Sequence, residues 1–157
     1  MPTEQYAIRP AQIGDLNHLL SIEHDSFTTD LLNRRQMRYL LIKAKACCLL
    51  IEFQGDIVGY GICLTPKLPR PARLYSLAVR QEYRGKGFAR ALIEAFKDYL
   101  NCNNYKYWQL EVDTNNHSAQ KLYKDSGFEL KARLPGYYEN GCDALRMICV
   151  LITAEEV

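Results

Sequence analysis

The sequence predicts an α+β fold, a central sheet flanked by about four helices, and three observations carry that expectation. An apolar run at residues 74–79 feeds an amphipathic segment through Arg84-Gly85-Lys86-Gly87-Phe88-Ala89, which reads as strand, glycine turn and helix. Two further apolar runs, residues 46–53 and 57–64, flank Gln54-Gly55-Asp56, whose Gly and Asp suit a hairpin turn. Residues 105–113 alternate, with Trp108, Leu110 and Val112 on one face and Gln109, Glu111 and Asp113 on the other, the pattern of a half-polar strand.

Taken in order, residues 5–9 read as a first strand. An amphipathic helix follows over 11–23, with Leu16, Leu19, Leu20 and Ile22 on or near one face, and a second helix over 30–45. After the predicted hairpin, residues 65–73 hold Pro66, Pro69 and Pro71 with Lys67, Arg70 and Arg73, a basic loop. The helix after the glycine turn places Phe88, Ala91, Leu92, Ala95, Phe96, Tyr99 and Leu100 at three- and four-residue steps. Asn115 or Asn116 caps a short helix through about Ser126, which Gly127 ends, and final strands cover about 128–133 and 144–152. No repeat, linker or second domain interrupts the pattern, so residues 1–157 are expected to form one domain.

At 157 residues the chain is long enough for a single buried core without disulfide or metal support. A hydrophobic content of 48% and a net charge of +2 argue against disorder and against a general nucleic-acid binder. The apolar runs are short and residues 1–5 carry no signal pattern, so a cytoplasmic protein without membrane attachment is expected. Six cysteines show no C-x-x-C spacing, and Cys47 and Cys48 are adjacent, which suits neither a bridge nor a metal site. They are read as reduced. His18, His24 and His117 are dispersed, and no metal is expected.

The glycine turn carries the first chemistry. Gly85 and Gly87 permit a sharp bend and close approach of a ligand, and the first turn of the following helix leaves N–H donors without partners. Those donors and the helix dipole favour an anion, and Arg84, Lys86 and Arg90 add cations around the same turn. A pyrophosphate-bearing ligand fits. The spacing excludes a nucleoside-triphosphate P-loop, which needs four residues between its glycines and then Lys with Ser or Thr. A dinucleotide fold would want Gly or Ala where Arg90 stands; Glu111 is near the position of its ribose-binding acid, so that alternative stays open.

Arg84, Gly87 and Ala89 resemble the Arg/Gln-x-x-Gly-x-Gly/Ala signature of the GNAT superfamily of N-acetyltransferases. Leu110-Glu111-Val112-Asp113, Asn116-His117-Ser118-Ala119 and Leu122-Tyr123-Lys124-Asp125-Ser126-Gly127-Phe128 resemble its second block, in the form of the ribosomal-protein alanine N-acetyltransferases (RimI-like). The resemblance implies a mixed, mostly antiparallel sheet and acetyl-CoA as co-substrate. It implies that the turn from Arg84 to Arg90 (Gly85, Lys86, Gly87, Phe88 and Ala89 between them) cradles the pyrophosphate, that backbone groups of Leu77, Ala78 and Val79 pair with the pantetheine arm, and that Asn116 hydrogen-bonds the cofactor. It also implies that Glu111 takes the amine proton, directly or through water, and that Tyr123 protonates the CoA sulfur.

The residues themselves also allow a solvated strand carboxylate for Glu111 and core packing for Tyr123. Gln81 stands where the family often has Pro, and Ala89 where it often has a third Gly. Tyr137 and Tyr138, with Glu139 and Asp143, fall in the last hairpin connection, which in RimI-like enzymes helps to line the acceptor site. The expected activity is N-acetyl transfer to a primary amine, a protein N-terminal α-amine first. A small-molecule amine and a non-catalytic acyl-CoA-binding module are the alternatives. No cysteine is placed as an acetyl carrier, which favours direct attack.

Overall fold

The computed structural model describes residues 5–28 and 30–151. Its elements are β1 (Tyr6–Pro10), α1 (Leu16–Ser26), α2 (Arg34–Ile42), β2 (Ala46–Phe53), β3 (Asp56–Leu64), β4 (Ala72–Val79), α3 (Phe88–Cys102), β5 (Tyr107–Asp113), α4 (His117–Asp125), β6 (Glu129–Leu134) and β7 (Ala144–Val150). The seven strands form one sheet in the order β1-β2-β3-β4-β5-β7-β6. Every neighbouring pair is antiparallel except β4 and β5, which run parallel and pair only at Ala72 with Trp108 and Arg73 with Gln109. Past those residues the two strands part, leaving a wedge between the C-terminal halves of β4 and β5.

Both faces of the sheet are covered, which explains why residues 46–53 read as a continuous apolar run rather than an alternating one. On β2, Cys47, Leu49, Ile51 and Phe53 join a core with Leu92, Phe96 and Leu100 of α3. Cys48 and Leu50 point the other way, into a second core with Leu19 and Ile22 of α1 and Met37 of α2. The β2–β3 hairpin closes as expected: Gln54 and Gly55 both adopt positive φ, 53° and 83°, as a two-residue type I′ turn demands.

Local hydrogen bonding moves several boundaries that periodicity alone places elsewhere. The first helix, expected from residue 11, opens instead with a 3₁₀ turn over Ile13–Asp15. There the Asp15 carboxylate accepts from the Gln12 N–H at 2.7 Å and from two nitrogens of Arg9, each at 2.9 Å. The second helix, expected over 30–45, spans only Arg34–Ile42, because Asn33 and Gln36 form a capping box that fixes its start. Strand β4 begins at Ala72, so Arg73 stands on a strand and not in the loop. Strand β7 ends at Val150, and residue 152, expected to close it, lies outside the described residues. Among the described residues no helix is long and apolar enough to cross a membrane.

Gly61 of β3 faces α3 so closely that a Cβ there would lie 2.6 Å from Cε2 of Phe96, a fully buried ring. Gly61→Ala is expected to lower stability by about 1–3 kcal/mol, the usual effect of overpacking, read as a lower urea midpoint at unchanged m-value. A second expectation concerns acid. Hydrogen bonding to Arg9 outweighs burial and holds the Asp15 carboxyl below its ordinary 3.8. Its stabilising contribution is therefore complete above pH ~4 and lost as pH falls through the lower folded value. Asp15→Asn should unfold more easily than wild type at pH 7, with the difference shrinking on acidification in a Tm series.

Candidate active site

The wedge between β4 and β5 is a cavity of about 540 Å³, and it gathers residues that are far apart in the chain. Leu77 comes from β4, Glu111 and Asp113 from β5, Asn116 and Tyr123 from α4 and its cap, and Tyr138 from the β6–β7 connection. A second cavity of about 330 Å³ shares Glu23, Asp30, Ser76, Glu111 and Tyr138 with it, so the two form one continuous cleft.

The phase of the β3–β4 ladder decides which backbone groups of β4 face the wedge. Val79 stands opposite Gly59 and Leu77 opposite Gly61, while the Arg80 N–H donates to the Val58 carbonyl at 2.8 Å. In an antiparallel ladder hydrogen-bonded pairs alternate, so Leu77 and Val79 turn their N–H and C=O groups away from β3, toward the wedge. Ala78, opposite Tyr60, directs its groups at β3. Of the three residues expected to offer backbone to a ligand, Ala78 is thus corrected. The Val79 carbonyl is also taken, accepting from Arg84 Nε at 2.9 Å.

At the far end of β4 the chain makes the expected glycine turn. Gly85 and Gly87 adopt φ of 78° and 88°, the left-handed region that a side chain disfavours. Gly87 caps α3 without a side chain, and no acidic residue occupies the first turn, so the N–H donors of a 15-residue helix face outward uncapped. Lys86 and Arg90 are exposed and form no ion pair among the described residues. Arg84 differs from expectation: besides Val79 it reaches Ser26 Oγ at 3.4 Å, so its guanidinium ties β4 to the end of α1. Phe88 points its ring inward, 5.0 Å from that of Phe53, leaving only its backbone for a ligand. Ala89 is half-buried behind it.

Glu111 is not a solvated strand carboxylate. Its side chain is 3% exposed and sits between two guanidiniums, with Arg73 Nε 2.7 Å from Oε1 and Arg146 Nε 3.0 Å from Oε2. Gln109 Nε2 donates to Oε2 at 3.0 Å. A carboxylate has about four lone-pair positions, and Oε1 keeps one open beside Arg73.

Tyr123 packs edge-on against Phe128 at 5.8 Å, yet its hydroxyl has no hydrogen bond among the described residues. Burial pushes the phenol up to about 12, so it keeps its proton at neutral pH. Asn116 caps α4, its Oδ1 accepting from the Ala119 N–H at 3.1 Å, while its amide nitrogen bonds to no described residue. Tyr137 and Tyr138 stack edge-to-face at 5.0 Å, and the Tyr137 hydroxyl accepts from Arg73 at 2.8 Å. Burial raises the Tyr138 phenol, with Tyr137, Asp113, Glu111 and Tyr123 adding to the shift.

The periodicity did not single out Glu23, yet it is among the most constrained side chains of the cleft. It is buried, accepts from the hydroxyls of Tyr60 and Ser76 at Oε1, and accepts from the Leu32 N–H at 3.0 Å on Oε2. A signal was present: Leu16, Leu19, Leu20 and Glu23 follow the i, i+3, i+4, i+7 rhythm, which puts a carboxylate on the apolar stripe of α1. The thiols take no part in the cleft. Burial pushes Cys47 up to about 11 and Cys48 to about 12, and raises Cys63 and Cys149 as well. Among the described residues no three His, Cys, Asp or Glu side chains gather as a metal group.

Comparison with known proteins agrees with this geometry. The model of the acetyltransferase (GNAT) family matches residues 15–128. The putative [ribosomal protein bS18]-alanine N-acetyltransferase of Bacillus subtilis (strain 168) is 32% identical over 143 residues, covering 90% of this chain and 93% of that protein. An N-alpha-acetyltransferase of Sulfurisphaera tokodaii is 28% identical over 159 residues, covering 94% and 95%. The crystal structure of the ribosomal-protein-S18-alanine N-acetyltransferase from Escherichia coli superimposes with a TM-score of 0.85 at 22% identity, covering 98% of this chain and 99% of the other. A parted β4–β5 pair, a glycine turn before an uncapped helix, and these matches lead to one conclusion: the chain belongs to the GNAT family of N-acetyltransferases.

Proposed function

We propose that the chain works as one catalytic domain that moves an acetyl group from acetyl-CoA to the N-terminal α-amine of a protein. The observation that carries this reading is convergence: Leu77 of β4, Glu111, Asn116 and Tyr123 line one wedge, and the strand that supplies Leu77 runs on into the uncapped turn of α3. The donor set suits CoA. Backbone N–H groups of α3 with Lys86 and Arg90 would hold its pyrophosphate, Leu77 N–H and C=O with the Val79 N–H its pantetheine arm, and Asn116 a further polar group.

Bound there, acetyl-CoA supplies the acetyl thioester. The open lone pair of Glu111 accepts the proton that the acceptor ammonium must lose, directly or through a water. The amine then forms the new C–N bond as the C–S bond breaks; Tyr123, protonated at neutral pH, gives its proton to the departing sulfur, and the second proton that the nitrogen sheds on becoming an amide restores the phenol. Glu111 is offset by Arg73 and Arg146, but Glu23, Asp30 and Asp113 leave the cleft lining negative on balance, which favours a cationic peptide end, and Tyr137 and Tyr138 form its outer wall. The relatives named for N-terminal acetyl transfer support the same acceptor. A non-catalytic CoA-binding module would need neither Glu111 nor Tyr123 on the cleft. Buried, unpaired thiols suit a reducing, cytoplasmic compartment.

Thiol release from acetyl-CoA, screened over short peptides with varied N-termini and over small amines, tests the proposal. Transfer to a peptide class is expected, and transfer to small amines alone would overturn the acceptor. Tyr123→Phe should lower kcat by about 10²-fold or more, as loss of a general acid does, while acetyl-CoA still raises Tm as in wild type. Glu111→Gln should also lose activity, but it leaves two guanidiniums against a neutral amide. Its Tm should fall with a stability loss of about 1–3 kcal/mol, whereas that of Tyr123→Phe should not.

A further inference from the structure

The basic loop at residues 65–71 belongs to neither the turn nor the acidic cleft. It enters β4 at Ala72, whereas the glycine turn leaves β4 after Val79, and a strand of that length separates them by about 20 Å. The loop therefore lies away from the proposed site of the CoA phosphates, and the Tyr105 hydroxyl ties its Pro66 carbonyl to the segment before β5. Its first residue is anchored beside the end of α2, where the Thr65 N–H donates to the Lys45 carbonyl at 2.9 Å.

The exposed face of α2 carries Arg35, Arg38, Tyr39 and Ile42 at the i, i+3, i+4, i+7 spacing of one helical face. A groove of about 320 Å³ runs between α2 and β4, lined by Leu32, Arg35, Tyr39, Leu40 and Tyr75. Leu32 and Tyr75 also line the acceptor cleft, so the groove continues it outward. Tyr39 is 58% and Tyr75 42% exposed, apolar surface beside the cleft mouth. Arg35, Arg38, Lys67 and Arg70 are exposed, and none has an ion-pair partner among the described residues.

From this we infer that the groove between α2 and β4, with Arg35 and Arg38 on the adjoining face of α2, receives the acceptor polypeptide downstream of its N-terminus and selects acidic residues interspersed with apolar ones. The inference rests on the acceptor being a polypeptide, as proposed above. The N-terminal ammonium enters the acidic cleft, and the chain passes Leu32 and Tyr75 onto the face of α2. From Arg35 to Ile42 that face is about 10 Å long, room for about three residues of extended chain. The signs are complementary: negative inside for the ammonium, positive outside for the carboxylates that follow. Continuity with the cleft favours a peptide over a nucleic acid as the occupant.

Three peptides test it, each beginning Ala-Ser-Ser and continuing Glu-Glu-Phe-Glu, Gln-Gln-Phe-Gln or Lys-Lys-Phe-Lys. At low salt kcat/KM for the Glu peptide should exceed that for the Lys peptide by about tenfold, with the Gln peptide between them. The difference should shrink to less than about twofold near 0.5 M NaCl. Arg35→Glu/Arg38→Glu should reverse the order, whereas Lys131→Glu, on the distant strand β6, should keep it. Equal kcat/KM for the three at low salt, or competition by poly-uridylate stronger than by the Glu peptide, would overturn the groove assignment while peptide acetylation stands. No transfer to any of them, with acetyl-CoA still raising Tm, would overturn the acceptor reading and the groove with it.

Discussion

Everything functional in this fold depends on the failure of two strands to stay paired. Parallel β4 and β5 share only Ala72–Trp108 and Arg73–Gln109 before they separate. Unpaired strand backbone is costly when buried and is normally covered. Here the groups that face outward are those of Leu77 and Val79, at the place where a ligand has access to them. The same separation admits Glu111 and Tyr123 to a common space, although α4 and β5 lie on one side of it and β4 on the other. A closed sheet of the same seven strands would have a core but no site.

The chemistry is bracketed by charge compensation at both ends of the wedge. Arg73 and Arg146 hold Glu111, so the carboxylate keeps its position without solvent, and Arg73 also fixes Tyr137 on the outer wall. Arg84 locks the carbonyl of Val79 and reaches α1, bracing the start of the glycine turn. These arginines do structural work next to the groups proposed to react. Positioning of this kind would hold a base and an acid in place for the proposed transfer.

Much of this was legible in the sequence because it is local. The hairpin at Gln54-Gly55, the glycine turn, the helix from Phe88 and the alternation along β5 each follow from spacing within a dozen residues. Boundaries were less legible where a single side chain decides them, as Asn33 does for α2 and Asp15 for the 3₁₀ turn before α1. The structure brings three of the expected site residues, Glu111, Tyr123 and Asn116, onto one cleft, but the sequence did not foretell what surrounds them. That Glu111 lies between Arg73 and Arg146 is a product of sheet order, since β5 borrows one arginine from each neighbour. Periodicity along one segment carries no information about that. Ala78 was misassigned because ladder phase, too, depends on the partner strand.

Glu23 offers a different lesson. Its carboxylate is bonded to Tyr60 of β3, Ser76 of β4 and the backbone of Leu32, just before α2. The segment that walls the proposed acceptor cleft is therefore fastened to the sheet by a polar rivet and not by apolar burial alone. The outward side chains of Arg35, Arg38, Tyr39 and Ile42 take no part in that fastening. Over evolutionary time such an arrangement separates two kinds of inheritance: the mounting of the wall stays fixed, while the face it presents can drift, so that a lineage could change its clientele without disturbing its catalyst.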